Sequence, residues 1–207
     1  MKLVRPAVAV ALGAAVVLSV PSHAAVKPSC NLVLDVKGDA DQGLFSSSSQ
    51  PAWDIVSADV ATDKTNLTTV IRVDKLSKSV SDDPGGSQWR FDFQVDGVKL
   101  FTQATSTPFG DKFTIGYTDT TSHAFAASGA TGVFDTAKNE VRVTAPLAST
   151  VSKATIKTGT KLTDLGASAG DYVNTAGGSP SGSFSADTAT GSKNYVAPSK
   201  SCVTVGK

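Results

Sequence analysis

The stretch WRFDFQV, Trp89 to Val95, constrains the fold more than any other part of this chain. Trp89, Phe91, Phe93 and Val95 alternate with Arg90, Asp92 and Gln94. An extended backbone sends successive side chains to opposite faces, so this text makes one dry face and one wet face. A helix would scatter the same residues around its circumference. Antiparallel sheets with a single buried side are written in this way. The device recurs in EVRVTAPL, where Val141, Val143, Ala145 and Leu147 oppose Arg142 and Thr144, and in KFTIGYT, which groups Phe113, Ile115 and Tyr117. The strand beginning at Leu67 carries apolar residues on both faces, Leu67, Ile71 and Val73 against Val70 and Leu76, as a central strand does.

Turn residues separate these runs. Asp96-Gly97 is a strong hairpin dipeptide and joins the Trp89 strand to VKLFTQA. Asp135 and Asn139 frame a longer hairpin before Val141, and Asp63 to Asn66 make a polar bend between a strand at Ile55–Val60 and the one at Leu67. Asp-Pro-Gly-Gly within Leu76 to Gln88 marks a loop. GGSPSGSFSADTATGS, residues 177–192, has little bulk and is expected to be irregular. Short strands spaced by turns predict an all-β domain, a single antiparallel β-sandwich of the jelly-roll kind, with a closed barrel as the alternative.

The ends of the chain speak of export. Lys2 and Arg5 precede the apolar run from Ala7 to Val20, and Ser22-x-Ala24 sets small residues at a cleavage point. Residues 1–25 therefore read as a secretory signal, too short in its apolar part for the roughly 20 residues of a membrane span. Removing 25 of the 207 residues leaves about 180, enough for one domain over residues 26–207. The formal charge of +1 becomes about −1 once Lys2 and Arg5 leave. Without a Lys/Arg cluster, that balance argues against nucleic acid as a partner. In an oxidising compartment Cys30 and Cys202 predict a disulfide joining the two ends of the mature chain.

Several of these runs, LDVKGDA, PAWDIVSADVATDKTNLTTVIRV, WRFDFQVDG and TGVFDTAKNEVRVTAPL, together resemble secreted bacterial β-sandwich modules related to DOMON domains and to family 9 carbohydrate-binding modules. The likeness runs from about Leu34 to Ala167. It implies a jelly-roll sandwich that binds a ligand without turning it over. Members bind sugars or haem, and many carry a structural calcium ion. The family's opening turn falls here on Gly38 to Ala40 and its strand start on Asp54-Ile55, so the resemblance points to Asp39 and Asp54 as calcium ligands.

The residues themselves lead to the same loop. LDVKGDADQG brings Asp35, Asp39 and Asp41 together with Gly38 and Gly43, and Asp54 follows at a strand start. Hard carboxylate oxygens suit Ca²⁺, which takes six to eight of them. An EF-hand is excluded, because twelve positions counted from Asp35 or Asp39 end at Ser46 or Gln50 and not at a glutamate. Two readings stand: a structural calcium site on Asp35, Asp39, Asp41 and Asp54, or a solvated Asp-Gly turn.

A sugar needs a platform of exposed aromatic rings flanked by polar groups. Trp89 and Tyr117 are in phase with core residues, which leaves Trp53, Tyr172 and Tyr195 as ligand-binding candidates. No haem or nucleotide cofactor is expected: the mature chain has the single histidine His123 and no methionine to ligate haem. Catalytic equipment is scarce. No G-x-S-x-G elbow occurs, Glu140 is the sole glutamate, and a triad would have to recruit His123. The expectation is a secreted, non-enzymatic, monomeric module that binds polysaccharide or a surface protein. The alternatives are an envelope structural or protein-interaction protein with no sugar ligand, and a secreted hydrolase.

Overall fold

In the computed structural model the described residues are 30–43, 48–78, 85–119, 124–127, 129–148, 154–173 and 182–206. They form no helix and 57% strand, in two antiparallel sheets. Among them no helix is long and apolar enough to cross a membrane. The proposed signal, residues 1–25, and His123 lie outside the described residues.

The smaller sheet has the order β1 (Val33–Leu34), β2 (Ile55–Thr62), β3 (Asn66–Val73), β9 (Glu140–Pro146), β8 (Thr131–Asp135). The larger runs β11 (Gly182–Thr190), β10 (Lys161–Val173), β4 (Ser87–Val95), β5 (Val98–Thr107), β6 (Gly110–Thr118), β7 (Ala124–Ala127), with β12 (Tyr195–Val196) pairing with β10. Two separate sheets make a sandwich and dispose of the barrel. β3, with apolar residues on both faces, is indeed central, between β2 and β9.

Alternation does what the sequence demands. Trp89, Phe91, Phe93 and Val95 are buried, and Arg90, Asp92 and Gln94 are half-buried on the far side of β4. Val95 pairs with Val98 across Asp96 and Gly97, whose φ angles of 50° and 81° are both left-handed, as a two-residue hairpin turn of the primed type requires. Between the sheets the edge of Trp89 meets Phe134 at 5.2 Å, and the hydroxyls of Thr69 and Thr102 bond at 2.6 Å. Each buried aromatic contributes about 2–3 kcal/mol of burial to this core.

The stretch 177–192 departs from expectation, because residues 182–190 form β11 and pair with β10. Ala186 and Ala189 are buried while Ser185, Thr188 and Thr190 are exposed. Strict alternation is broken, because Ala186 and Asp187 are both buried where the register slips past Ala186, and the rest is written in small residues whose apolar signal is weak.

Cys30 and Cys202 form a disulfide, with Cα atoms 5.3 Å apart, inside the usual range for a bridge. Beyond it the C-terminal segment crosses the outer face of the smaller sheet. Val203 packs with Ala61 and Val70, the Thr204 carbonyl accepts from Arg142 at 3.1 Å, and the Gly206 amide donates to Thr68 Oγ1 at 3.2 Å. Closing a loop of 172 residues stabilises by about 5 kcal/mol in the chain-entropy model.

Candidate functional site

The loop after β1 lies where the edges of the two sheets come together, β1 on one side and β11 on the other. Its course is fixed by backbone groups. The Asp35 amide donates to the Val56 carbonyl at 3.2 Å, and the Asp41 amide to the Ala186 carbonyl at 2.7 Å. Between these anchors the chain turns at Gly38, whose φ of 92° suits glycine. Both oxygens of Asp54 accept from the Gly38 amide, at 3.0 and 2.8 Å.

This geometry gathers three carboxylates. Asp35, Asp39 and Asp187 each offer an oxygen such that all three atoms lie within 4.8 Å of one another. Asp187, 8% exposed, comes from β11, and its Oδ2 accepts the Ile55 amide at 2.7 Å. Asp35 Oδ1 accepts the Val36 amide at 2.9 Å, whereas its Oδ2 is buried with no hydrogen-bond partner. Asp39 is exposed.

The electrostatics follow from crowding like charges in a half-dry corner. Burial, reinforced by the charges of Asp35 and Asp39 and opposed by the Ile55 amide, pushes the Asp187 carboxyl up to about 6. Burial likewise raises Asp35; the Val36 amide pulls the other way, and the charges of Asp39 and Asp54 add to the rise. Asp187 stands close enough to bond the Asp35 carboxyl. Two carboxyl oxygens at that range need either a shared proton or a cation between them.

Of the four predicted ligands, then, the structure brings together Asp35 and Asp39. Asp54 is spent on the Gly38 amide, one step behind the group, and Asp41 sits outside it with only its backbone tied to β11. Asp187 was missed because the text around it reads as irregular. The signal that could have found it is the phase of Asp187 and Ala189 against Thr188 and Thr190, which the bulge at Ala186 interrupts.

Two of the three predicted sugar-binding aromatics are in the core. Trp53 is 0% exposed and Tyr195 1%. The loop 50–54 folds inward over the end of the sandwich, with the Trp53 amide bonded to Gln50, and the Ala52 carbonyl takes the Trp89 indole N–H at 2.8 Å. The Tyr195 hydroxyl accepts the Thr62 amide at 2.9 Å and bonds both backbone groups of Ser199, N and O, at 3.2 Å, which makes it an internal tether. Tyr172 is half-buried near the end of β10.

No family model, curated protein or solved structure matches the chain.

The donor set must therefore be judged by its own chemistry. Three carboxylates form an all-oxygen set, which suits a hard cation such as Ca²⁺ over the softer metals that prefer nitrogen and sulfur. The buried, partnerless Asp35 Oδ2 fits the same conclusion, because a buried carboxylate oxygen ordinarily has a donor or a cation.

Proposed function

We propose that this chain is a secreted, non-catalytic sandwich module that binds carbohydrate and is fastened by a structural calcium ion. Asp35, Asp39 and Asp187 would hold the ion, and it would supply a positive charge between the two sheet edges. The observation that carries the reading is the set of three carboxylate oxygens within 4.8 Å, beside a buried Asp35 Oδ2 that has no donor. The resemblance to family 9 carbohydrate-binding modules and DOMON domains is in keeping with it. With Trp53 and Tyr195 in the core and Tyr172 half-buried, recognition of a sugar rests chiefly on hydrogen bonding.

The same burial favours a second reading, a protein-interaction module of the envelope with no sugar ligand, since it removes two of the three candidate stacking rings and the exposed Phe109 at the β5–β6 turn also suits a protein partner.

A glycan array and a polysaccharide pull-down, each run with calcium and with chelator, separate the two. Binding of any glycan supports the first reading. No glycan binding in either condition removes it and leaves the second. Calcium titration followed by melting temperature tests the ion by itself: a melting point indifferent to calcium and chelator would remove calcium from the proposal.

A further inference from the structure

We propose that a neutral sugar binds in the groove on the outer face of the larger sheet, held by Arg90, Asp92, Lys99 and Asp164. The inference rests on reading the chain as a carbohydrate-binding module; it does not require the calcium site.

Strand register builds the groove. Asp92 pairs with Phe101 on one side and Gly166 on the other, and Phe101 pairs in turn with Gly116. A glycine thus stands on either side of Asp92 and Phe101, before Thr190 of β11 and Ala126 of β7 continue the row. The next row toward the Asp96–Gly97 turn carries longer side chains throughout, with Gln94 paired to Lys99 and Lys99 to Thr118. The resulting cavity holds about 340 Å³ and is lined by Arg90, Asp92, Gln94, Lys99, Thr118 and Asp164 above the buried Phe93 and Leu100. That volume lies at the lower end of the roughly 300–1,000 Å³ of small-molecule sites.

Asp164 supplies an observation of a different kind. It lies where the β10–β4 register slips between Thr163 and Gly166, and its φ of 47° is left-handed. Such a conformation costs a non-glycine residue free energy, and irregular strand positions of this sort serve to re-aim a side chain. Here the exposed carboxylate stands at the cavity wall with no hydrogen bond or ion pair among the described residues. The Lys99 ammonium, across the cavity wall on β5, is equally unpartnered among them. Arg90, by contrast, is held still. Its Nε and Nη2 donate to Asp92 Oδ1 at 2.8 and 2.7 Å, its Nη2 donates to Thr118 Oγ1 at 3.0 Å, and its guanidinium stacks 3.9 Å above the Phe101 ring. A rigid pair and a free pair of opposite charges therefore share one small cavity.

The charge pattern selects the ligand. An anion meets Asp92 and Asp164, and a cation meets Arg90 and Lys99. An apolar molecule would have to cover the charges of all four side chains. A polyhydroxylated ring carries no net charge, and each hydroxyl both donates and accepts. It can donate to Asp92 and Asp164 while accepting from Arg90 and Lys99.

The test uses the disulfide-intact secreted protein, labelled with ¹⁵N. The probes are glucose, galactose, mannose, N-acetylglucosamine, their β-1,4-linked dimers and any glycan positive on the array, with glucuronate and glycine betaine as charged comparators. Amide shifts are recorded in calcium and again in chelator. The expected result is that at least one neutral sugar moves the amides around Arg90, Lys99, Thr118 and Asp164 in both conditions. Asp164→Asn, which keeps a side chain tolerant of left-handed backbone, and Lys99→Gln should each weaken that binding about tenfold at unchanged melting temperature. Binding of an array glycan with shifts elsewhere overturns this site and leaves the module reading standing. Silence of every glycan on the array and in the titration overturns both. Shifts here with glucuronate or glycine betaine alone overturn the neutral sugar as the ligand.

Discussion

Two groups of carboxylates flank β2, and they are built differently. On the outer face of the smaller sheet, Asp59 is buried and accepts Arg72 Nη1 at 2.7 Å and the Leu32 amide at 3.0 Å. Arg72 Nε reaches Glu140 at 2.9 Å, and Arg142 Nη2 takes the other Glu140 oxygen at 3.2 Å. Each acid there has an arginine, and the network closes on itself under the C-terminal segment. At the sheet edge, Asp35 and Asp187 each accept a backbone amide, and with Asp39 they otherwise have one another. Buried charges persist when they are paired, so the closed network reads as structure and the open one as a place for a cation. The contrast lies between acids whose compensation is in the chain and acids whose compensation must come from outside.

The sharpest way to break this comparison is to open the closed network. Asp59→Ala strands Arg72 beside a single acid and leaves the Leu32 amide without its acceptor. Unfolding in urea should show a loss of about 3–5 kcal/mol, the usual cost of removing one partner from a buried pair. The loss should be the same with calcium and with chelator. A loss below about 1 kcal/mol, at the level of a surface pair, would mean that the network is not what holds β2, β3 and β9 together.

The open group should answer to pH in the opposite sense from a paired acid. The folded Asp187 carboxyl titrates at about 6, above its ordinary 3.8. The folded state therefore binds that proton more tightly than the unfolded chain does. Its contribution is complete below about pH 3.8 and is lost as pH rises through 6. In chelator, the stability of the wild type relative to Asp187→Asn should fall by up to ~3 kcal/mol between pH 3.5 and pH 7.5, from the two-unit difference in titration. Taking the difference between the two proteins cancels the other carboxylates. A flat difference across that range would show that Asp187 is not held in a dry, like-charged corner.

Calcium should reverse the ranking. At a hundredfold excess over its dissociation constant, an ion that binds only the folded state adds about 2.7 kcal/mol, or roughly 5–10 °C in a domain of this size. Asp187→Asn and Asp39→Asn should abolish the gain, and Asp41→Asn should leave it intact, because Asp41 is outside the carboxylate group. Equal loss in all three variants would mean that the whole acidic loop, and not the trio, attracts the ion.

Legibility in the sequence follows the bulk of the side chains. β4 declares itself because Trp, Phe and Val alternate with Arg, Asp and Gln, and its hairpin because Asp96-Gly97 can adopt left-handed angles cheaply. β11 is written in Ala, Ser and Thr, where the difference between faces is a methyl or two, and a bulge at Ala186 breaks its phase. That is why the loop with Asp35 and Asp39 was legible and the strand that completes it with Asp187 was not. Trp53 and Tyr195 failed for another reason. Local text shows neither ring's depth, because what buries them is tertiary: the inward fold of 50–54 over the sandwich end, and the hydrogen bonds of the Tyr195 hydroxyl to Thr62 and Ser199. A disulfide between Cys30 and Cys202 needed no such context, since two cysteines admit one pairing.

The smallest expected effect sets the baseline for all the others. Asp135 and Lys138 form an ion pair at 2.6 Å across the turn between β8 and β9, three residues apart. Lys138 holds the Asp135 carboxyl below its ordinary range, chiefly through their hydrogen bond. Lys138 stands in water and Asp135 is open to it on one side, so the attraction is screened and competes with the side-chain entropy of holding a lysine in one pose. Lys138→Gln should leave the melting temperature unchanged within error in low and moderate salt, and unchanged again on adding calcium. The same close contact between an acid and its partner is thus decisive for Asp59, where burial removes the alternative of water, and idle for Asp135. A measurable loss in Lys138→Gln would undercut the whole contrast, because burial would no longer be what separates carboxylates that matter from those that do not.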